Sequence, residues 1–265
     1  MLKQLNLATV KWYIDCQKYQ IVDLKLNDYL LLFDKLYSTI TYIRFGMNLL
    51  SEISFLLRKE ITIELRQKYA IGGILLYVFS TIFIVYMCFN RVDSVTWNAL
   101  FWIIILFASV NAVAKSFVQE SGSRQLYYYI LANPSAIILS KIIYNVVLLM
   151  LLSLLAYFAF SIVAPNPVRN GGQFFLALFL GSTGLSIAIT FVSAIAAKAD
   201  NSSTLMAILS FPLVIPILMV LIKISSNAMG LMTDTAIWKD MLTLVAIDLL
   251  LIAMAFVLFP FLWRD

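Results

Sequence analysis

Glu120 and Arg124 stand four residues apart in the polar segment Glu-Ser-Gly-Ser-Arg, followed by Leu126, the tyrosines 127–129 and Pro134. On a short helix this spacing puts both charges on one face. An acid, then Gly122, then an amphipathic stretch, then a proline before an apolar run predicts a helix that offers charge and aromatics to a soluble partner. The same residues also serve as a plain connecting loop. Two further groups could do work inside apolar sequence. Asp248 interrupts a run of aliphatic residues, where a charge costs roughly 2.5–3.5 kcal/mol to insert and therefore needs a partner or a proton. Pro212 and Pro216 lie within five residues of each other in another such run. Each removes a backbone donor and collides with the carbonyl one turn back, so a kinked or broken helix is expected there, either as a static bend or as a moving gate.

Catalysis finds little support. The chain has no histidine, so the commonest general base and metal ligand is missing. Its two cysteines, Cys16 and Cys88, are far apart and form no metal-binding spacing. No phosphate-binding loop, G-x-S-x-G elbow, H-E-x-x-H pair or carboxylate pair occurs. The chain is expected to be a non-enzyme that binds no metal and no cofactor.

The elements that must position these residues are apolar. Of 265 residues, 62% are hydrophobic and 12% charged, with a mean hydropathy of +0.93. Six runs are long enough to be read as spans: 70–90, 97–114, 137–163, 174–197, 204–222 and 241–263. About 20 apolar residues rising 1.5 Å each cross a hydrocarbon core of about 30 Å. The expected fold is all-α, a polytopic membrane protein of six transmembrane helices. No cleavable signal is apparent, and the first span can direct its own insertion. With both termini cytoplasmic, Arg58, Lys59, Arg66, Lys68, Lys115, Arg124, Lys141, Lys198 and Arg264 fall inside. Only Arg91, Arg169, Lys223 and Lys239 fall outside, in accord with the positive-inside rule. The net charge of +5 forms no dense basic run, so nucleic acid is not an expected partner.

Residues 1–46 mix charged and apolar groups and read as an N-terminal extension, either a non-native start or a surface helix. Residues 47–265 hold the whole membrane pattern. Within them, 47–69 place Leu49, Leu50, Ile53, Leu57 and Ile61 at helical spacing with a charged opposite face. That pattern suits a helix in the membrane interface, with the bilayer as its partner, or one packed on the protein. The loop 115–136 is the longest polar stretch between spans and is cytoplasmic in this topology. Residues 198–203 read as a short inner turn and 223–240 as the last outer loop. The cluster Gly181, Ser182, Gly184, Ser186 and Ala188 reads as a close helix-packing face.

Phe117-x-x-Glu120-x-x-x-Arg124-x-Leu126 followed by Pro134 and Lys141 resembles the cytoplasmic segment of type-two ABC exporter permeases. Gly181-Ser-Thr-Gly184-Leu-Ser-Ile-Ala188, Phe211-Pro-Leu-Val-Ile-Pro216-Ile-Leu218 and Glu60-x-x-x-Glu64-x-Arg66 narrow the resemblance to the CcmB family, haem exporter protein B of cytochrome c maturation. The turn at Lys198-Ala-Asp200-Asn is less basic than that family's pattern. The resemblance covers about residues 47–265. It implies a non-catalytic permease in the bacterial inner membrane, partnered by a CcmA-like ATPase and a CcmC-like haem-handling membrane protein. ATP hydrolysis in the partner would drive release of haem-loaded chaperone, with haem as a candidate cargo of the complex. In this reading Glu120, Gly122, Arg124, Leu126 and Pro134 form the ATPase-coupling loop. A general type-two exporter permease for a lipid, glycan or drug, and a membrane scaffold without transport, remain the alternatives.

Overall fold

The computed structural model describes residues 49–66, 68–89, 92–113, 117, 133–197, 202–232 and 237–264. The extension 1–46, the loop residues Glu120, Gly122, Arg124 and Leu126, and the turn at Lys198 and Asp200 lie outside the described residues. Seven α-helices and no strand occur among the described residues. They are α1 (Leu49–Arg66), α2 (Lys68–Cys88), α3 (Ser94–Val113), α4 (Pro134–Val163), α5 (Gly171–Ala196), α6 (Ser202–Ala228) and α7 (Ile237–Arg264). Five of them, α3 to α7, are long and apolar enough to cross a membrane, and Gly72–Cys88 of α2 is a shorter apolar helix. The protein is an all-helical, multi-pass membrane protein.

Local chemistry sets the helix ends. Asn133 caps α4, its side chain accepting from Ser135 N at 3.2 Å, and Pro134 fills the first turn, where a missing N–H costs nothing. Beyond Val163 the run Pro165-Asn166-Pro167 prevents continuation. Asn170 caps α5 through Gln173 N. Asp93 begins α3, and its hydrogen bonds, first that from the Thr96 side chain, hold its exposed carboxyl below the usual carboxylate range.

The loop between the last two helices is shorter than the sequence predicts. Helix α6 continues through Lys223, Ser225 and Ser226 to Ala228, and α7 starts at Ile237. The polar residues there are helical because they meet polar partners on α3. Ser225 Oγ accepts from Trp102 Nε1 at 2.8 Å and donates to Asn98 Oδ1 at 2.7 Å, while Asn98 Nδ2 reaches Ser226 Oγ at 2.8 Å. The helix stops instead at Gly230, which has φ 72°. Leu231 N bonds Ser226 O and Gly230 N bonds Asn227 O, the paired reverse bonds of a glycine C-cap. The freed Ala228 carbonyl accepts from Arg169 N and Asn170 N at 3.1 and 2.9 Å, so the α4–α5 turn closes the end of α6.

Helix α5 is the axis of the bundle and the most buried of the long helices. Its small residues let neighbours approach the backbone. A Cβ at Gly181 would sit 2.9 Å from both Leu221 of α6 and Trp102 of α3. Helix α4 packs antiparallel on α5, as two buried hydrogen bonds show. Asn145 Nδ2 donates to Thr190 Oγ1 at 2.9 Å, and eight residues on, Ser153 Oγ meets Ser182 Oγ at 3.0 Å. Trp97, Phe101, Tyr157, Phe160 and Phe174 form an aromatic cluster where α3, α4 and α5 meet, with Trp97 and Phe101 stacked at 5.2 Å.

Of the kinked or broken helix expected in the fifth span, the break does not occur. Helix α6 runs unbroken from Ser202 to Ala228 with Pro212 and Pro216 inside it. Ile208, Pro212 and Pro216, each four residues apart, lie on its exposed face. The opposite stripe of Ser210, Val214, Ile217, Leu221 and Ile224 is buried. Burial of that stripe holds the helix together while both missing donors fall on the outward side.

Candidate functional site

The two described ends of the loop between α3 and α4, Phe117 and Asn133, are fixed to four helices. Asn133 N donates to Glu52 Oε1 of α1 at 2.6 Å. Eight residues further along both helices, Glu60 Oε1 lies 3.2 Å from Lys141 Nζ. These equally spaced ties run α1 alongside the foot of α4, in the same direction. Of the two readings left open for this helix, packing on the protein is therefore realised, with Ile53 and Leu56 buried.

Lys141 is 1% exposed, a cation held almost wholly out of solvent. Its ammonium meets Glu60 on one side and stands 4.8 Å from the centroid of the Phe117 ring on another. Both contacts surround the ammonium in a site that bulk water does not reach. Lys59 joins the group, 2.8 Å from the same Glu60 oxygen. Phe117 N donates to Ser193 Oγ of α5 at 3.4 Å, and the Phe117 ring lies 5.5 Å from that of Phe259 on α7. A displacement of the loop thus meets α1 through Glu52, α4 through Lys141, α5 through Ser193 and α7 through Phe259.

Of the sequence-predicted loop residues, Pro134 is the first residue of α4, directly after the Asn133 cap. Glu120, Gly122, Arg124 and Leu126 lie outside the described residues. The ion pair Glu60–Lys141 was not foreseen, although a signal for it exists. Lys141 is the only charged residue in α4, and a cation in an apolar helix calls for a carboxylate on a neighbour.

Asp248 lies elsewhere, on α7 and 5% exposed. It is three helical turns past Ile237, deeper than the two turns its expected span gave it, because α7 begins before Met241. Its carboxyl group packs against Gly184, near the middle of α5, where a Cβ would collide with Oδ1. Among the described residues neither carboxyl oxygen has a hydrogen-bond partner. Helix α5 carries no charged residue, and the one cation of α6, Lys223, pairs with Asp240 at 2.9 Å near the start of α7. Pro212 and Pro216 are exposed on α6. Among the described residues, Pro134 stands at the root of the α3–α4 loop, Asp248 on α7 against Gly184, and the two prolines on the exposed face of α6. Among the described residues no group of three or more His, Cys, Asp or Glu could hold a metal ion.

The profile of the CcmB family, described as CcmB protein, matches residues 51–261, from the first turn of α1 to the last turn of α7. Among curated proteins none matches the chain.

Proposed function

Since the chain belongs to the CcmB family, we propose that it is the membrane-spanning subunit of an ABC complex that works in cytochrome c maturation in the bacterial inner membrane. Family membership carries the coarse part of this reading, a transmembrane permease. The finer part is that a separate, CcmA-like ATPase docks on the loop after Phe117 and drives the bundle, while a CcmC-like membrane protein handles haem beside it. The supporting observation is the anchoring of both loop ends. A push delivered at Glu120–Leu126 would pass at once to α1, α4, α5 and α7 through Glu52, Lys141, Ser193 and Phe259. A loop with slack at its roots would dissipate that push. This chain supplies the moving part, and its partner supplies the chemistry.

Deletion of the gene, followed by measurement of covalently attached c-type haem, tests the pathway. Loss of attachment that the intact chain restores is the expected result, and full attachment without the chain would overturn the assignment. Glu120→Lys tests the docking site. Co-purification of the ATPase with the variant should fall while the amount of folded permease holds. Undiminished binding with full coupling would move the docking surface elsewhere.

A further inference from the structure

A groove of about 440 Å³ opens on the outside of the bundle between α1, α2 and α4. Its walls come from Leu57 and Ile61 of α1, Ile74 of α2, and Val147, Leu151 and Leu155 of α4. Among the described residues, its polar lining residues are Glu64 and Tyr144. We infer that this groove holds one acyl chain of a phospholipid from the leaflet on the coupling-loop side, bound as a resident lipid and not as cargo.

Depth selects this occupant. Tyr144 precedes Asn145, which pairs with Thr190 in the last turns of α5, and Leu155 follows Ser153, which pairs with Ser182 near the middle of α5. The groove therefore runs from one end of the bundle to its midplane. From Tyr144 to Leu155 the rise along α4 is about 16 Å, close to half of a hydrocarbon core of about 30 Å. That is the depth of one leaflet, the reach of one lipid chain.

Charge and polarity select the same orientation. Along α4 the wall is wholly apolar beyond Tyr144, from Val147 to Leu155, and Glu64 stands in the last turn of α1, past Leu57 and Ile61. Arg58 and Arg66 are exposed on α1, the helix that carries Leu57, Ile61 and Glu64 of the wall, and a phosphate held beside α1 would meet them. Val147 and Leu151 are 54% and 62% exposed on the groove wall, so the wall is open to whatever lies beside it.

The test uses the full chain in nanodiscs of palmitoyl-oleoyl phosphatidylethanolamine and phosphatidylglycerol, released into mild detergent and weighed intact by native mass spectrometry. The unaltered protein should retain one phospholipid under activation that strips all others. Val147→Trp and Leu151→Trp should each lower that retention about tenfold or more, the loss expected when a couple of buried methylenes are displaced. Phe158→Trp, on α4 outside the groove, should leave it unchanged. A second measurement keeps the unaltered sequence: stripped protein should regain thermal stability on addition of the same lipids with one-to-one saturation. Retention of no phospholipid, equal retention in the groove variants, recovery without saturation, or a retained mass matching a porphyrin or a peptide would each overturn the inference.

Discussion

Lys141 Nζ lies 3.2 Å from Glu60 Oε1, joining a buried cation of α4 to the charged face of α1. The side chain of Lys141 is 2% exposed and that of Glu60 14%, so the two partners pay unequally when separated. Glu60 keeps Lys59 at 2.8 Å, whereas the more deeply buried Lys141 loses this ion pair.

Glu60→Ala should therefore destabilise the protein more than Lys141→Met. Removing one partner of a buried ion pair costs about 3–5 kcal/mol, while methionine fills the lysine's volume without charge. Thermal unfolding in detergent, followed for both single variants and for Glu60→Ala combined with Lys141→Met, measures the difference. The double variant should be more stable than Glu60→Ala alone. If the single variants rank in the opposite order, the pair is not what stabilises the foot of α4.

Gly184 and Asp248 form a second coupled pair. Gly184→Ala places a methyl group on the Asp248 carboxyl and should cost about 1–3 kcal/mol, the usual cost of overpacking. Adding Asp248→Ala removes the collision, so the double variant should recover part of that loss. Asp248→Asn keeps the bulk and should not relieve Gly184→Ala. Melting temperatures across this cycle give the coupling directly. Simple additivity would mean that α5 and α7 adjust freely at this contact.

Pro212 and Pro216 lie on the exposed face of an unbroken α6, so alanine at both positions removes no buried contact. The double variant regains two backbone donors, and its stability should hold or rise, by up to about 3 kcal/mol per site. Folded protein and attached c-type haem are measured separately. Lower haem attachment at normal abundance assigns the prolines to a conformational cycle. Normal attachment leaves them as passive features of the outer face.

A chain beginning at Met47 retains α1, with Glu52 and Glu60 in place. It should insert, accumulate and support cytochrome c maturation as the full-length chain does. Failure to accumulate would make residues 1–46 structural.

The apolar helices among the described residues were legible because apolar runs of about 20 residues have few other uses, although the first expected span, 70–90, is the shorter apolar helix Gly72–Cys88. The far end of α6 was not. Lys223, Ser225 and Ser226 lower local hydropathy, and only Asn98 and Trp102 on another helix explain why they stay helical. The prolines were read for their local effect on hydrogen bonding, while their consequence depended on which face of α6 is buried. Asp248 was visible as an anomaly, but its neighbour Gly184 is 64 positions away, and a glycine stripe does not name what it receives. Glu60 and Lys141 each stood in a segment that matched the family pattern, and the pairing came only from the alignment of α1 along α4.

The bonds that join Asn98 to Ser226 and Trp102 to Ser225 span 128 and 123 residues of sequence. Ribosomes add about 5–20 residues per second, so α3 enters the bilayer on the order of 10 seconds before α6 is made. During that interval an amide and an indole N–H wait inside the membrane without the partners they will keep. The nascent chain is then at its most vulnerable, and an insertase that shelters α3 until α6 arrives would raise the yield of correctly assembled protein.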